Sequence, residues 1–251
     1  MKWSKRRSLG QHMLIDIKIL AKVIEASQIS ENEIVCEGGT GNGILTYELC
    51  KYAKSVISFE IDKVLFARAR ARARKQVFTL SNLQLLNVDL FKTLDLKFDV
   101  FISNLPYSKS KDAFHWLTSQ KFDRAILMIQ REFADKLQAK PGEKNYRAIS
   151  VVTQHCFTLQ KLFSVNKEAF DPEPSVESVV IKLIPRYQRI TRRTIRNLNY
   201  IFSQRNKKAS SVAKKFGIKS NFGDTRIDEL NSGVLIELAD LIEIEKFNPS
   251  L

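Results

Sequence analysis

The stretch Cys36-Glu37-Gly38-Gly39-Thr40-Gly41-Asn42-Gly43 spaces Gly39, Gly41 and Gly43 two residues apart behind an acid. Glycine lets the backbone turn sharply and lets a ligand approach closely. A dinucleotide turn would read Gly-x-Gly-x-x-Gly, with its third glycine one residue later. The tighter spacing suits S-adenosylmethionine, which has no pyrophosphate to cradle; NAD is the less favoured alternative. Two further acids end later apolar runs. Glu60, followed by Ile61, is within reach of ribose hydroxyls, and Asp89 is placed to accept an adenine amino group. Either acid alone is more often a helix cap, since carboxylates favour helix starts. Three signals at successive strand ends favour a nucleoside-containing cofactor. The candidates here are Glu37, Gly39, Gly41, Glu60, Ile61 and Asp89.

Asn104-Leu105-Pro106-Tyr107 succeeds the apolar run Phe98-Asp99-Val100-Phe101-Ile102. Proline stops ladder pairing and stiffens the backbone after the strand. With a methyl donor nearby, this stretch could hold the nucleophile. An adenine N6 amine is a poor one, because its lone pair is delocalised into the ring. Hydrogen bonds accepted from both N–H groups would draw the nitrogen toward tetrahedral geometry. The Asn104 side-chain oxygen and the Leu105 carbonyl are candidate acceptors. Pro106 would hold the carbonyl and Tyr107 would stack on the base. Catalysis would then rest on orientation and electrostatic positioning. A base in structured nucleic acid must be unstacked to reach such a pocket. Phe170 is a candidate for its second face, although core packing is the plainer reading of a lone Phe. His115 and His155 lack partners that would make a triad or a metal site, and no metal is expected.

These residues need a scaffold. Apolar runs at 33–39, 55–62, 83–91, 98–105 and 123–130 alternate with helical stretches. That pattern predicts an α/β fold with a mostly parallel sheet covered on both faces. Ligands bind beyond the carboxyl ends of such strands, where the candidates fall. Residues 16–26 place Ile17, Leu20, Ala21 and Ile24 on one helical face. Lys63–Val77 alternates Ala with Arg; both are strong helix formers, so it reads as a helix with a basic surface. Residues 139–147 read as a polar, mobile loop. A strand comes after Phe170-Asp171-Pro172-Glu173-Pro174.

The 251 residues suit one α/β domain with a smaller appendage. Apolar residues make up 44%, enough for a sizeable core. The net charge of +14 favours polyanionic partners, nucleic acid before an anionic membrane. Three cysteines without CxxC spacing fit a reducing cytosol rather than disulfides or zinc. No apolar run is long enough for a membrane span, and the basic start lacks a signal core. Between Ser178 and Gly223 there are 12 Lys or Arg and no acid. A boundary is therefore expected near Arg186, giving domains 1–186 and 187–251. The tail should be all-α: helical across 192–217, then an amphipathic helix with Val234, Leu238, Leu241 and Ile242 inward. Its candidate RNA contacts are Arg192, Arg193, Arg196, Arg205, Lys207, Lys208, Lys214 and Lys215. A monomer is expected, since no heptad seam is apparent.

Leu9–Asp16, Glu37–Thr46, Phe59–Asp62, Asn104–Tyr107, Leu127–Leu137, Phe170–Leu183 and Phe202–Ser210 carry motifs in an order that resembles the KsgA/Dim-type ribosomal RNA adenine dimethyltransferases. The archaeal branch is the nearest; Erm enzymes are more distantly similar. The resemblance implies a Rossmann-like S-adenosylmethionine-dependent methyltransferase fold. It implies a cytoplasmic enzyme that dimethylates N6 of two adjacent adenosines near the 3′ end of small-subunit rRNA during ribosome assembly. Carried over, Gln11, His12 and Leu14 would line the cofactor site, and Gly39, Glu60 and Asp89 keep the roles above. Asn104, Leu105 and Tyr107 would hold the target amine and Phe170 would stack on the base. Four places depart from the family: Tyr146-Arg147-Ala148-Ile149-Ser150 lacks a usual glycine, Ser175-Val176-Glu177-Ser178 replaces Lys-Val-Asp-Ser, Met13 replaces the usual Phe, and Ser108–Asp112 is more basic and less apolar than usual. The competing readings are a catalytically silent assembly or transcription factor on the same scaffold, and an N6 methylase of DNA or protein amides. Retention of Gly39, Gly41, Glu60, Asp89 and Asn104 together speaks against the first. Leu105 and the basic tail speak against the second.

Overall fold

Asp16 starts the helix α1 (Ile17–Ser27) by accepting at Oδ1 from Lys18 N (2.7 Å) and Ile19 N (3.2 Å). Such a cap satisfies donors that the first turn leaves without partners. The computed structural model describes residues 12–75, 81–186, 188, 190–218 and 222–243. Before α1 lies the short strand β1 (Met13–Leu14). Then come β2 (Ile34–Gly38), α2 (Ile44–Leu49), β3 (Ser55–Phe59), α3 (Lys63–Lys75), β4 (Leu83–Leu86) and β5 (Val100–Asn104). The chain continues through α4 (Ser110–Leu117), β6 (Arg124–Gln130), α5 (Arg131–Gln138), α6 (Ala148–Cys156), β7 (Phe157–Val165), β8 (Phe170–Asp171) and β9 (Ser178–Pro185). It ends in α7 (Arg192–Ser203), α8 (Ala209–Lys215) and α9 (Ser232–Leu241).

The main sheet has the order β4-β3-β2-β5-β6-β9-β7. The pairs from β4 to β6 are parallel, and β9 runs antiparallel to β6. The chain steps outward from β2 to β4, then returns to lay β5 on the other side of β2. A crevice opens at such a reversal, beyond the strand carboxyl ends. Val35, Val100, Ile102 and Ile126 are buried in one core cluster with Leu20 and Val23 of α1. Covered on both faces, these strands read as continuous apolar runs. Arg124 ties α1 to the sheet: it donates to Ser27 O (2.7 Å) and reaches both oxygens of Glu33 (2.7 and 2.8 Å). Its guanidinium holds the Glu33 carboxyl below the usual range.

Several sequence expectations shift. The buried face of α1 is Leu20, Val23 and Ser27, and Ile17 is 75% exposed. The stripe through Ile17, Ala21 and Ile24 instead lines an open groove with Tyr52. The strand β7 was not anticipated; Thr158, Gln160, Lys161 and Ser164 break its apolar run.

The chain forms two compact units. One comprises residues up to Arg131 with Leu159–Pro185; the other comprises Glu132–Thr158 with the residues from Arg186 onward. A single boundary near Arg186 does not describe them, because 132–158 joins the helical unit. The cause is packing: α6 and α7 both pack on α9. Tyr146 is 0% exposed, its ring 5.5 Å from Phe202, and its hydroxyl donates to Leu230 O (3.1 Å). Residues 139–147 are thus anchored at that end rather than a free loop. Arg147, in the motif where the resemblance led one to expect glycine, has φ −143, a value open to any residue. The basic 192–217 stretch is two helices, α7 and α8, parted at 204–208. In α9, Leu238 and Ile242 are inward as expected, but Leu235 and Ala239 share that face and Leu241 is 46% exposed. Asn197 locks α7 to α9 by donating to Ala239 O and Ile242 O, both at 2.8 Å.

Candidate active site

The glycine loop leaves β2 through three residues of positive φ: Gly39 (86°), Gly41 (58°) and Gly43 (83°). Such angles cost an L-residue about 1–2 kcal/mol. Gly39 N and Thr40 N both donate to Phe59 O (2.8 and 3.0 Å), which fastens the loop to the end of β3. Gly41 also lies close to β1, where an added Cβ would stand 2.9 Å from Met13 Sδ.

Glu37 is fully buried beneath this loop. Its Oε2 accepts from Thr46 Oγ1 (2.6 Å) and Ser58 Oγ (2.5 Å), and Ser58 in turn accepts from Thr40 (2.6 Å). Its Oε1 has no hydrogen-bond partner among the described residues. Burial pushes the carboxyl up to about 7 against these bonds, with Glu60 adding repulsion. Glu60, also buried, accepts at Oε2 from Gly41 N and at Oε1 from Asp62 N, both at 2.9 Å. Burial raises it too. Asp89 caps a short 3-10 turn by accepting from Phe91 N (3.1 Å). The cap reading and the ligand reading therefore coexist, since a carboxylate offers about four acceptor sites.

At the end of β5, Asn104 Nδ2 donates to His12 O (3.0 Å). That bond orients the amide so that Oδ1 is its acceptor end. Leu105 N donates to Met128 O (3.3 Å), and the next residue, Pro106, has φ −54. Tyr107 hydrogen-bonds through its hydroxyl to Ser178 Oγ (2.7 Å), and its ring centroid lies 5.2 Å from that of His12. His12 Nδ1 donates to Pro172 O (2.6 Å). The pairing of β1 with β8 (Leu14 opposite Phe170) closes the same wall.

These pieces enclose a cleft with about 1150 Å³ of free space including its mouth. His12, Leu14, Glu37, Gly39, Gly41, Glu60, Ile61, Asp89, Asn104, Leu105 and Pro106 all line it. Gln11 lies outside the described residues. Tyr107 stands beside the cleft rather than in its lining. Phe170 is 3% exposed and belongs to the core cluster, beside Leu14 of β1. Thr40, Ser103, Phe91 and Lys109 also line the cleft and were missed. Ser103, one residue before Asn104, donates to Gly38 O (2.5 Å), and position alone could have flagged it. The cleft offers flat apolar walls at Ile61 and Val88, carboxylates for a vicinal diol and an amino group, and an unpartnered buried oxygen suited to a cation. That set fits an aminoacyl nucleoside.

In the helical unit, Arg192 and Lys214 are exposed. Arg193 reaches Asp240 O (3.3 Å), Lys207 reaches Gln204 Oε1 (3.2 Å) and Lys215 reaches Tyr200 (2.5 Å). Lys208 is exposed but paired with Asp224 (2.8 Å), and Arg196 is exposed. Arg205 is the most heavily engaged of these cations. It grips Asp228 through Nε and Nη2 (3.0 and 2.8 Å) and donates to Lys144 O (3.2 Å), so it has a part in the fold.

Residues 2–246 match the family described as Ribosomal RNA adenine dimethylase. A relative from Pyrococcus abyssi, described as "Probable ribosomal RNA small subunit methyltransferase A", is 34% identical over 72% of this chain and 66% of its own length. A Methanosarcina acetivorans relative of the same description is 36% identical over 81% of this chain and 76% of its own. The crystal structure of a dimethyladenosine transferase from Plasmodium falciparum superposes with a TM-score of 0.76 at 28% identity, covering 95% of this chain and 98% of that one.

Proposed function

Because this chain belongs to the ribosomal RNA adenine dimethylase family, we propose that it transfers methyl groups from S-adenosylmethionine to N6 of two adjacent adenosines near the 3′ end of small-subunit rRNA. Each would receive two, during subunit assembly in the cytoplasm, from a monomeric enzyme. Among the described residues no helix is long and apolar enough to cross a membrane.

When bound, S-adenosylmethionine supplies an electrophilic methyl group. Glu60 is suited to accept from its ribose hydroxyls and Asp89 from its adenine amino group. Ile61 and Val88 supply flat apolar walls, and the orphaned Glu37 Oε1 suits a positively charged amine. The glycine loop admits the ligand because Gly39 and Gly41 carry no side chain. Across the cleft, Asn104 Oδ1 and the Leu105 carbonyl accept the two N–H groups of the target amine. The nitrogen lone pair then turns out of the ring plane toward the donor. No strong base is needed, since the alkylated nitrogen becomes acidic and loses its proton to water. Tyr107, held by Ser178, offers a ring for the base to stack on. The exposed cations of the helical unit grip phosphates.

The observation that carries this reading is the bond from Asn104 Nδ2 to His12 O (3.0 Å). A module that only bound RNA would have no use for an acceptor oxygen oriented at the mouth of a nucleoside cleft. The test is methyl transfer from labelled S-adenosylmethionine to small subunits lacking the modification, with the products digested to nucleosides. N6,N6-dimethyladenosine from the wild type, formed about 10²–10³-fold more slowly by Asn104→Ala, is the expected result. No transfer by a wild type that binds the cofactor would overturn it.

A further inference from the structure

The helix α3 spans 13 residues, Lys63–Lys75, and carries six Lys or Arg and no acid. Lys63, Arg68, Arg70, Arg72, Arg74 and Lys75 are all exposed. Among the described residues none is paired with a carboxylate. The buried contacts of the helix come from Leu65 and Ala69. Arg68, Arg72 and Lys75 run along one side of that buried line; Lys63, Arg70 and Arg74 run along the other. Like charges four residues apart, as in Arg68–Arg72 and Arg70–Arg74, weaken an isolated helix. A helix that carries two such pairs with no compensating acid is built for an external anion. Solubility alone would be served by interspersed signs.

The helix also sits at the cofactor cleft. It starts two residues after Ile61, and Ile61 and Leu65 both line the cleft. Tyr47 hydroxyl donates to Ala69 O (2.7 Å) and Arg72 Nη1 donates to Asn42 O in the glycine loop (3.2 Å). The cations therefore lie on the catalytic unit itself, on a helix that begins at the cofactor cleft and touches its glycine loop.

We infer that α3 is a second phosphate-binding surface, which holds the RNA backbone flanking the target base independently of the helical unit. This rests on the reading of the chain as acting on rRNA. The preference for arginine fits phosphate, because the guanidinium fork pairs with two oxygens at once. A lipid surface fits less well: the exposed side of α3 is mainly charged and alanine, with little to insert among acyl chains.

The test compares the wild type with the triple variant Arg68→Gln/Arg70→Gln/Arg74→Gln, which spares Arg72 and its loop contact. A matched triple Arg→Lys variant keeps the charge. Binding to undermethylated small subunits is measured across salt concentrations, with cofactor binding and thermal melting as controls. The Gln variant should bind about tenfold more weakly at 0.1 M salt, with a log–log salt slope shallower by about two. The Lys variant should keep most of that slope, and cofactor affinity should stay the same in both. An unchanged slope in a folded Gln variant overturns the inference, as does loss of binding to anionic phosphatidylserine vesicles with RNA binding intact. If the wild type methylates subunits while the slope is unchanged, this inference alone fails. If the wild type transfers no methyl group, the underlying reading fails instead.

Discussion

Asn104 donates its side-chain N–H to the backbone carbonyl of His12, 92 residues earlier in the chain, at 3.0 Å. One bond thereby sets which end of the amide is offered as acceptor. Asn104→Ala should lower methyl transfer by about 10²–10³-fold while cofactor affinity changes little. Titration calorimetry with S-adenosylmethionine beside single-turnover transfer checks this. An equal loss of cofactor binding would refute the division of labour.

Glu37 makes the free protein pH-sensitive. Its carboxyl is raised from 4.5 to about 7 by burial, so the native state holds a proton that the unfolded state releases. Its stabilising contribution is complete below pH 4.5 and is lost as pH rises through about 7, by at most ~3 kcal/mol. Melting temperature measured without ligand should fall across that window, and Glu37→Gln should flatten the fall. Identical slopes in the two proteins would sink the assignment.

Gly41→Ala introduces a Cβ at φ 58°, 2.9 Å from Met13 Sδ. The strain is local to the loop, about 1–2 kcal/mol. Circular dichroism should be retained while cofactor affinity drops about tenfold or more. Wild-type affinity in this variant would mean that the loop does not approach the ligand.

Two changes in the helical unit should separate fold from binding. Arg205→Ala breaks a largely buried pair with Asp228 and should cost about 3 kcal/mol of stability. Lys207→Ala/Lys208→Ala should leave the melting temperature nearly unchanged, weaken RNA binding and reduce its salt slope by about one to two. A variant pair that behaved the other way round would reverse these roles.

The cofactor side of the cleft was readable because its parts are local. Glycine spacing, and acids at the ends of apolar runs, are features of single short segments. The parts that escaped depend on distant partners. Phe170 faces Leu14 across a two-residue strand pair, and no periodicity announces that. Arg205 looked like any other cation until Asp228 folded against it. Glu132–Thr158 seemed part of the sheet domain by position, yet Tyr146 is buried with Phe202. On α1 the apolar stripe was real, but part of it faces an open groove rather than the core.

The wall of the cleft that includes His12 is completed late in synthesis. His12 is held by Pro172, 160 residues downstream, and Tyr107 by Ser178, 71 residues downstream. A nascent chain that has just released β6 already owns the glycine loop, Glu60, Asp89 and Asn104. It lacks both latches, and β1 has no strand to pair with. The growing polypeptide therefore cannot hold a finished methylation site while it is still attached to the ribosome that makes it, until the stretch from Phe170 to Ser178 has left the exit tunnel.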